Sequence, residues 1–452
     1  MKTQRIEEFI GIYGYASKTE GIGGKIREKV EDFIVEEITP EGEILKVGKD
    51  YGFNVEKRSR YLVFLLEKHN WDTFKAIDVL ARHLNVKPEN FSFAGIKDKR
   101  AITIQRVSVW RVRPEDLLNV KINGLYIRGC WYSDNKVSIG DLWGNHFRIT
   151  IRKINLDQNE ARHRVKRVLS EIEEIGGVPN FFGFQRFGTK RPLNHIIGKY
   201  IVKGQFRDAV IKFLTETAPY EDKKTKEARL TLREDLDFKK AAEIFPDYLW
   251  YEKRMLKFLA NHPKSYISAL RLIPKQLRIM FTHSYTSYLF NKFVSYRMKM
   301  EALNEVFEGD IILKVGKNDL PSDEAHEVSS SNIKEIQREI RTGRAVVALP
   351  LVGYGIKIPR GETGEIIKKV LEEEGIKPED FRVKSMPELS VKGTYRSIIL
   401  KIKDFEVIGP VGDELNPSTL KILMQFSIPR GGYATTVLRE FMKPRYPILS
   451  GF

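Results

Sequence analysis

The feature that most limits how this chain can fold is its cysteine content: 452 residues contain a single cysteine, Cys130. One cysteine excludes an internal disulfide framework and any zinc or redox site that needs paired cysteines. The eight histidines form no HxxxH or HxH pair, so the sequence carries no metal signature either. The fold must therefore be held by hydrophobic cores, for which a hydrophobic content of 42% is sufficient.

The length of the chain predicts two or three domains. No stretch reaches the roughly 18 uncharged apolar residues that a membrane span needs. Residues 1–18 carry acids where a signal peptide would be apolar. We therefore expect a soluble, cytoplasmic protein with no membrane partner.

Positive charge gives the first indication of a partner. Lysine and arginine number 77 against 60 acids, which leaves a formal net charge of +17. Such an excess favours phosphate-rich partners through long-range attraction and counterion release. A lysine-rich proteome would produce the same excess in proteins of any function. The charge is therefore consistent with nucleic-acid binding but does not establish it by itself.

Apolar periodicity divides the chain into regions of different secondary structure. It predicts a helix from Asp72 and another from Glu160, whereas alternation predicts strands over 102–109, with a bulge at 105–106, and over 147–151.

The rest of the chain shows different secondary-structure patterns. Residues 190–300 are mostly helical in pattern, and residues 305–405 return to short strand-like runs. The tail from 426 predicts a glycine-containing loop followed by a helix.

The densest group of charges is the loop Gly95–Arg100, GIKDKR, between two predicted strands. It places the carboxylate of Asp98 among three cations, which keep a carboxylate ionised when they lie within about 4–6 Å. A loop held by a rigid sheet can present an anionic oxygen to a substrate. A solvated turn whose charges simply face water explains the same residues.

Seven segments resemble the TruD family of tRNA pseudouridine synthases, in the family's order and over nearly the whole chain. They are EDFIVEE (31–37), GIKDKRAITIQRVSV (95–109), GNHF (144–147), GGVPNFFGFQRFG (176–188), SYTSYLFN (284–291), LPLVGYG (349–355) and FSIPRGGYATTVLRE (426–440). The second and fourth are long enough to be specific. The chain departs from the pattern at Gly432, where many relatives have serine, so a hydroxyl contact is not expected there.

The resemblance implies an α/β (α+β) fold. A pseudouridine synthase catalytic domain with a mixed, mostly antiparallel sheet would comprise residues 1–178 and 394–452, and a family-specific α/β domain, 179–393, would be inserted in it. The implied activity is isomerisation of a uridine in tRNA, at position 13 by expectation, without a cofactor because no atoms are gained or lost. The implied partner is tRNA; no metal and no obligate protein partner are evident. A non-catalytic RNA-binding or RNA-folding protein with this fold is the alternative.

The family's catalytic aspartate falls on Asp98. An anionic carboxylate can attack the sugar or the uracil, or accept a ribose proton, and the sequence does not choose among these. Relatives carry a basic residue upstream of the EDF element, where this chain has Arg27. Arg27 is therefore the expected partner of Asp98, with Lys25 and Lys97 as competing candidates.

The family's uracil-binding positions fall on Phe33, Asn145, Phe147 and Tyr433. An extruded base needs an apolar platform and hydrogen bonds to its edge. Asn145 offers one donor group and one acceptor group, and the aromatic rings could stack on the base. Core faces of strands would explain Phe33 and Phe147 equally well, and packing at a helix start would explain Tyr433.

Two stretches rich in bases are candidates for contacts to the tRNA backbone. Residues 186–212 contain seven Lys/Arg and one acid, and residues 275–299 contain five and no acid, with aromatic residues interleaved. The near absence of acids argues against an ordinary salt-bridged helix face. The candidate contacts are Lys97, Arg186, Lys190, Arg191, Lys199, Lys275 and Arg278.

Overall fold

The computed structural model of this chain describes residues 3–56 and 58–452. The strands are β1 Phe33–Ile38, β2 Phe53–Asn54, β3 Tyr61–His69, β4 Phe91–Phe93, β5 Ile102–Trp110, β6 Leu125–Ser133, β7 Gly144–Ile154, β8 Val178–Pro179, β9 Ile311–Val315, β10 Pro321–Glu327, β11 Ala345–Leu351, β12 Thr394–Ser397, β13 Ile399–Leu400, β14 Lys403–Gly412 and β15 Leu420–Pro429. The helices are α1 Arg5–Glu8, α2 Thr73–His83, α3 Pro114–Leu118, α4 Gln158–Ile175, α5 Phe184–Phe187, α6 Asn194–Val202, α7 Phe206–Thr215, α8 Lys223–Asp235, α9 Phe238–Ile244, α10 Trp250–Asn261, α11 Tyr266–Arg271, α12 Lys275–Lys299, α13 Ile333–Arg341, α14 Gly361–Glu374 and α15 Ala434–Met442.

A nine-stranded sheet forms the largest element of the fold. Its order is β14-β15-β7-β1-β5-β3-β6-β2, and β4 pairs with β5 outside this path. Among the strands of residues 3–56 and 58–452, only β1 with β5 and β2 with β6 run parallel. The prediction of a mixed, mostly antiparallel sheet is therefore confirmed.

The central strand β5 corrects one prediction. Its pairing with β3 runs from Ile102 to Trp110 without a shift, so the bulge predicted at 105–106 is wrong. The strand is buried on both faces, which removes the need for apolar alternation. Gln105 and Arg106 are accommodated by polar contacts: Gln105 Nε2 donates to the Gly95 carbonyl at 3.1 Å, and Arg106 Nε donates to Glu37 at 3.1 Å.

Capping residues mark the start of α2 and the end of α4, the two helices predicted from periodicity. The Asp72 side chain accepts a hydrogen bond from the Lys75 amide at 3.1 Å and starts α2. Helix α4 ends at Gly176, whose φ of +86° is the left-handed conformation that glycine adopts without a Cβ penalty.

The middle of the chain forms a four-stranded sheet, β10-β9-β11-β12, and the helices α5–α14. Strand β12 pairs with β11, so the residues just after the predicted boundary at 394 belong to this smaller sheet. The two ends of the middle segment meet in a ribbon: β8 pairs antiparallel with β13, Val178 opposite Leu400.

Helix α12 is 25 residues long and is buried on most of its surface. Phe281, Tyr285 and Phe290 pack in the hydrophobic cores. The aromatic residues interleaved along this stretch are therefore mainly structural, and they do not form an RNA-facing row.

The largest hydrophobic core crosses the predicted domain boundary. It joins Ile10 and Phe147 to Phe290 and Val347 of the middle segment. A second core lies among helices α6–α12. Cys130 is buried in a third, between the main sheet and α2, and burial raises the pKa of its thiol, as expected for a structural cysteine.

The described ranges contain neither a helix suited to a lipid bilayer nor a cluster of metal-ligating side chains. Over residues 3–56 and 58–452, each helix is too short or too polar to cross a lipid bilayer. In the same ranges, no three or more His, Cys, Asp or Glu side chains are grouped so that they could hold a metal ion.

Candidate active site

The loop that carries Asp98 is fixed by a buried lysine. Lys68, at the end of β3, donates through Nζ to the carbonyls of Asp98 at 2.6 Å, Trp71 at 2.8 Å and Lys97 at 3.4 Å. Its side chain is fully buried, and this desolvation lowers its pKa to about 8, against the opposing effect of Asp98. One ammonium group thus ties β3 to the backbone beside the carboxylate.

Two neutral side chains complete this anchoring. The Lys97 amide donates to Thr73 Oγ1 at 3.2 Å, which attaches the loop to the first turn of α2. Gln105 Nε2 donates to the Gly95 carbonyl at 3.1 Å, which attaches the loop to β5. The loop is therefore not a freely solvated turn.

The Asp98 carboxylate lies next to Arg27. Arg27 Nη2 donates to Asp98 Oδ1 at 2.8 Å, while Nη1 donates to the Gly451 carbonyl at 2.7 Å. The guanidinium also lies 3.9 Å from the centroid of the Phe33 ring. The Asp98 side chain remains 35% exposed, so it is both oriented and open to a ligand. Lys25 instead pairs with Glu28, at 3.5 Å.

Lys97 points away from solvent and into the sheet. Its Nζ donates to Asn145 Oδ1 at 2.5 Å and lies 3.1 Å from Glu37 Oε2. The register that places Glu37 opposite Asn145 on β1 and β7 brings these groups together. Because Lys97 is buried, we remove it from the candidate contacts to the RNA backbone.

Phe33 and Phe147 are core residues beside the site. Their side chains are almost completely buried, and their rings meet edge to face with centroids 6.1 Å apart. Phe147 also stacks on Phe426 at 5.7 Å. With Arg27 covering one face of Phe33, neither ring offers an open stacking surface in this conformation.

Tyr433 lies at the start of α15, half-buried. Its ring centroid is 5.9 Å from that of Phe182, in an edge-to-face arrangement. The preceding Gly432 explains the departure from the family pattern: a Cβ there would lie 2.6 Å from Leu400 Cδ1. Leu400 occupies the space that a serine side chain would need.

Two arginines flank Phe182, and neither pairs with a carboxylate in the part of the chain that the structure describes. The guanidinium carbons of Arg396 and Arg186 lie 4.2 Å and 5.1 Å from its ring centroid. Desolvation, together with the nearby charge of Arg186, lowers the pKa of Arg396 to about 10. Arg396 Nη2 donates to the Gly431 carbonyl at 2.9 Å, whereas Arg186 Nε is buried without a hydrogen-bond partner among the described residues.

The other predicted backbone contacts separate into two groups. Lys190 and Lys275 are exposed. Three others have intramolecular partners, and we remove them from the candidate RNA surface. Arg191 donates to the carbonyls of Phe213 and Glu216, Lys199 pairs with Glu374 at 2.6 Å, and Arg278 pairs with Glu388 at 2.7 Å.

Sequence reasoning missed five residues of the site: Glu37, Lys68, Thr73, Gln105 and Arg396. Glu37 and Gln105 lie within segments that carry the family resemblance, so closer attention to their polar side chains would have found them. Lys68 ends an apolar strand and Thr73 begins a helix, which are ordinary places for such residues. Arg396 gave no local signal.

Comparisons with known proteins agree with this geometry. The family model described as tRNA pseudouridine synthase D (TruD) matches residues 9–441. Relatives carrying the name tRNA pseudouridine synthase D include a Methanosarcina acetivorans protein, 39% identical over 98% of both chains, and a Thermococcus sibiricus protein, 34% identical over 97% of this chain and 99% of the relative. A crystal structure of a TruD protein from Methanosarcina mazei superposes with a TM-score of 0.81 at 38% identity, covering 98% of this chain and 99% of that one. The chain therefore belongs to the tRNA pseudouridine synthase D (TruD) family.

Proposed function

We propose that this chain isomerises a uridine of tRNA, at position 13, to pseudouridine. The observation that carries the proposal is the placement of Asp98. Its carboxylate is held by Arg27, on a loop anchored to the sheet, and it remains partly exposed. Family membership over nearly the whole chain supports the reaction class.

The reaction needs few groups from the protein. The bond from uracil N1 to ribose C1′ breaks, the base turns, and C5 bonds to C1′; C5 then releases its proton and N1 gains one. Atoms and charge balance without an added reagent, which agrees with catalysis without a cofactor. One carboxylate oxygen of Asp98 accepts a hydrogen bond from Arg27. The carboxylate can attack the sugar or the uracil, or it can accept a ribose proton.

The RNA must present its base outside the helix stack, which costs a few kcal/mol. We propose that Arg186 and Arg396 bind a phosphate near the target nucleotide, because both guanidinium groups lie beside the Phe182 ring and neither has a carboxylate partner among the described residues. Arginine suits phosphate because its planar fork donates two parallel hydrogen bonds. The exposed Lys190 and Lys275 would contact the tRNA backbone.

We propose a catalytic domain made of residues 1–178 and the carboxyl-terminal segment predicted from 394, with the middle segment as its insertion. In support, all nine strands described in the main sheet, β1–β7, β14 and β15, come from the outer segments. Strand β12 is best counted with the insertion, because it pairs with β11. Since tRNA is the proposed substrate, we place the enzyme in the cytoplasm.

Tritium release from C5-labelled uridine in an unmodified tRNA transcript tests the function, because C5 loses its hydrogen on isomerisation. We expect release by the wild type and by the control D116N, which alters an exposed carboxylate on α3. D98N should bind the transcript normally and release no tritium above background. Release at the wild-type rate would refute the role of Asp98. A transcript with cytidine at position 13 should lose the signal if that site is correct.

A non-catalytic RNA-binding protein is the second candidate, favoured only by the positive charge. It predicts tight binding of several tRNAs with no tritium release by the wild type. That candidate leaves unexplained why four side chains, those of Arg27, Lys68, Thr73 and Gln105, fix the backbone and the carboxylate of the Asp98 loop.

A further inference from the structure

The hydrogen-bonding direction of Asn145 is determined by its neighbour. An ammonium group has donors and no acceptor, so the Asn145 atom that faces Lys97 Nζ at 2.5 Å must be the carbonyl oxygen Oδ1. A half-turn of the amide would set Nδ2 against the ammonium, donor against donor. The amide orientation thus follows from the chemistry of Lys97.

Lys97 is itself paired with a buried carboxylate. Glu37 is fully buried, and its Oε2 lies 3.1 Å from Lys97 Nζ in an ion pair; Oε2 has no hydrogen-bond partner among the described residues. Its other oxygen accepts hydrogen bonds from the Arg106 amide at 3.2 Å and from Arg106 Nε at 3.1 Å. The carboxylate is therefore fixed by the sheet, and it fixes the lysine in turn.

The remaining amide group of Asn145 is available for a ligand. Within residues 3–56 and 58–452, no protein acceptor takes a hydrogen bond from Nδ2, and Asn145 is half-buried beside Lys97, the residue that precedes Asp98. The sequence had left Asn145 as both donor and acceptor; in the structure its acceptor is already used.

We propose that the buried Glu37–Lys97 pair makes Asn145 a dedicated donor that binds a carbonyl oxygen of the target uracil. The inference rests on the proposed function. A uracil edge presents the acceptors O2 and O4 around the donor N3–H, so a donor-only side chain binds O2 or O4 and not N3–H. If the atom is O4, cytosine is rejected, because its amino group would face Nδ2 as a second donor.

Sulfur substitution tests the proposal, since a thiocarbonyl is a weaker acceptor. Transcripts with 2-thiouridine or 4-thiouridine at the target are compared with uridine for single-turnover tritium release. We expect one of the two to slow the wild type roughly 3- to 10-fold, the range of one neutral hydrogen bond. N145A should be slower on uridine and show no further sulfur effect. A sulfur effect that persists in N145A, or none in the wild type, would overturn the proposal.

Variants of Lys97 test what orients the amide. K97R keeps a group that only donates, so the sulfur effect should remain. K97M allows the amide to turn, so the effect should disappear. Because K97M leaves Glu37 with fewer partners, the double variant E37Q/K97M, which removes both charges, is measured in parallel and should behave in the same way. Retention of the full sulfur effect in both methionine variants would refute the role of Lys97.

The dissociation constants of the same RNAs, measured in the D98N background, provide a readout that does not need turnover. The sulfur effect on affinity should follow the same pattern across the Asn145 and Lys97 variants. Absence of tritium release with this binding pattern intact would refute the isomerase activity alone. Release without an Asn145-dependent sulfur effect would refute the inference alone.

Discussion

Lys68 shows how one residue can connect the stability of the fold to its chemistry. The ammonium group donates to three backbone carbonyls around Asp98, and its burial lowers its pKa to about 8. Above that pH the neutral amine has only two N–H groups, so one of the three contacts is lost. The position of the carboxylate therefore depends on the protonation of a side chain that does not touch the substrate.

We expect activity and stability to change in opposite directions as the pH rises through 8. The turnover rate should fall, because the Asp98 loop loses a contact. Folding should become more favourable, because the folded-state pKa of Lys68 lies below its ordinary value of 10.5. Above the folded-state pKa the buried amine is neutral, so the folded protein no longer has to bury a charge there. The gain between pH 8 and 10.5 is about 3 kcal/mol at most.

Activity and urea denaturation across this pH range, for the wild type and K68M, provide the measurement. K68M should lose roughly tenfold in kcat with little change in KM, and it should lack the wild-type stability change. The exposed K75M on the adjacent helix is the control and should behave like the wild type. If the turnover rate of K68M fell above pH 8 as that of the wild type does, Lys68 would not be the group responsible.

Gly432 provides a second prediction at the scale of a residue. In G432S, the new Cβ would approach within 2.6 Å of Leu400 Cδ1, and Leu400 is itself buried in the core. We expect a loss of about 1–2 kcal/mol in the free energy of unfolding by urea. The double variant G432S/L400V should recover most of the loss. Equal stability of G432S and the wild type would show that Leu400 moves aside without cost.

At the scale of elements, helix α12 connects the middle segment to the amino terminus and to the segment around Phe182. Asn291, fully buried on this helix, accepts from the Phe182 amide at 2.8 Å and donates to the carbonyls of Phe182 at 3.1 Å and Ile10 at 2.9 Å. The segment that bears Phe182, between the two arginines, is thus positioned by a helix far from it in sequence.

N291A should be strongly destabilised, because it leaves three backbone groups buried without partners. We expect a loss of about 3 kcal/mol in the free energy of unfolding, measured by urea denaturation. N261A, at the exposed end of α10, removes one local contact and should cost less than about 0.5 kcal/mol. A loss in N291A no larger than that in N261A would exclude a connecting role for Asn291.

The elements that the sequence predicted well are those with one buried face. Helices α2, α4 and α15 have clear periodicity, and the caps at Asp72 and Gly176 mark their ends. The sequence failed where burial is complete. Strand β5 is buried on both faces, so its apolar and polar residues do not alternate strictly and a bulge was predicted. Helix α12 is buried on most sides, so its aromatic residues were interpreted as RNA contacts.

Predictability of the site followed a similar rule. Asp98 and Arg27 lie in specific segments and could be found by resemblance. Lys68 and Arg396 act through contacts to residues distant in sequence, such as the Gly431 carbonyl, which no local pattern encodes.

At the scale of the whole molecule, the net charge of +17 should make tRNA binding strongly dependent on salt. K190A and K275A, which change exposed lysines, should each reduce the slope of log Kd against log salt concentration by roughly 0.7 to 1. K199A is the matched control, because that lysine pairs with Glu374. Equal reductions in all three variants would refute the distinction between exposed lysines that contact RNA and lysines that pair within the protein.

The ribbon of β8 and β13 has a consequence for the order of folding. Strand β15 must pair with β7, and β14 with β15, although a long stretch of chain separates both strands from β7. Closing a loop costs more conformational entropy the longer it is. Once Val178 lies opposite Leu400, that stretch counts only as a short connection, and the carboxyl-terminal strands become near neighbours of the sheet they complete. Assembly of the main sheet is therefore entropically cheapest after the middle of the chain has brought its own two ends together.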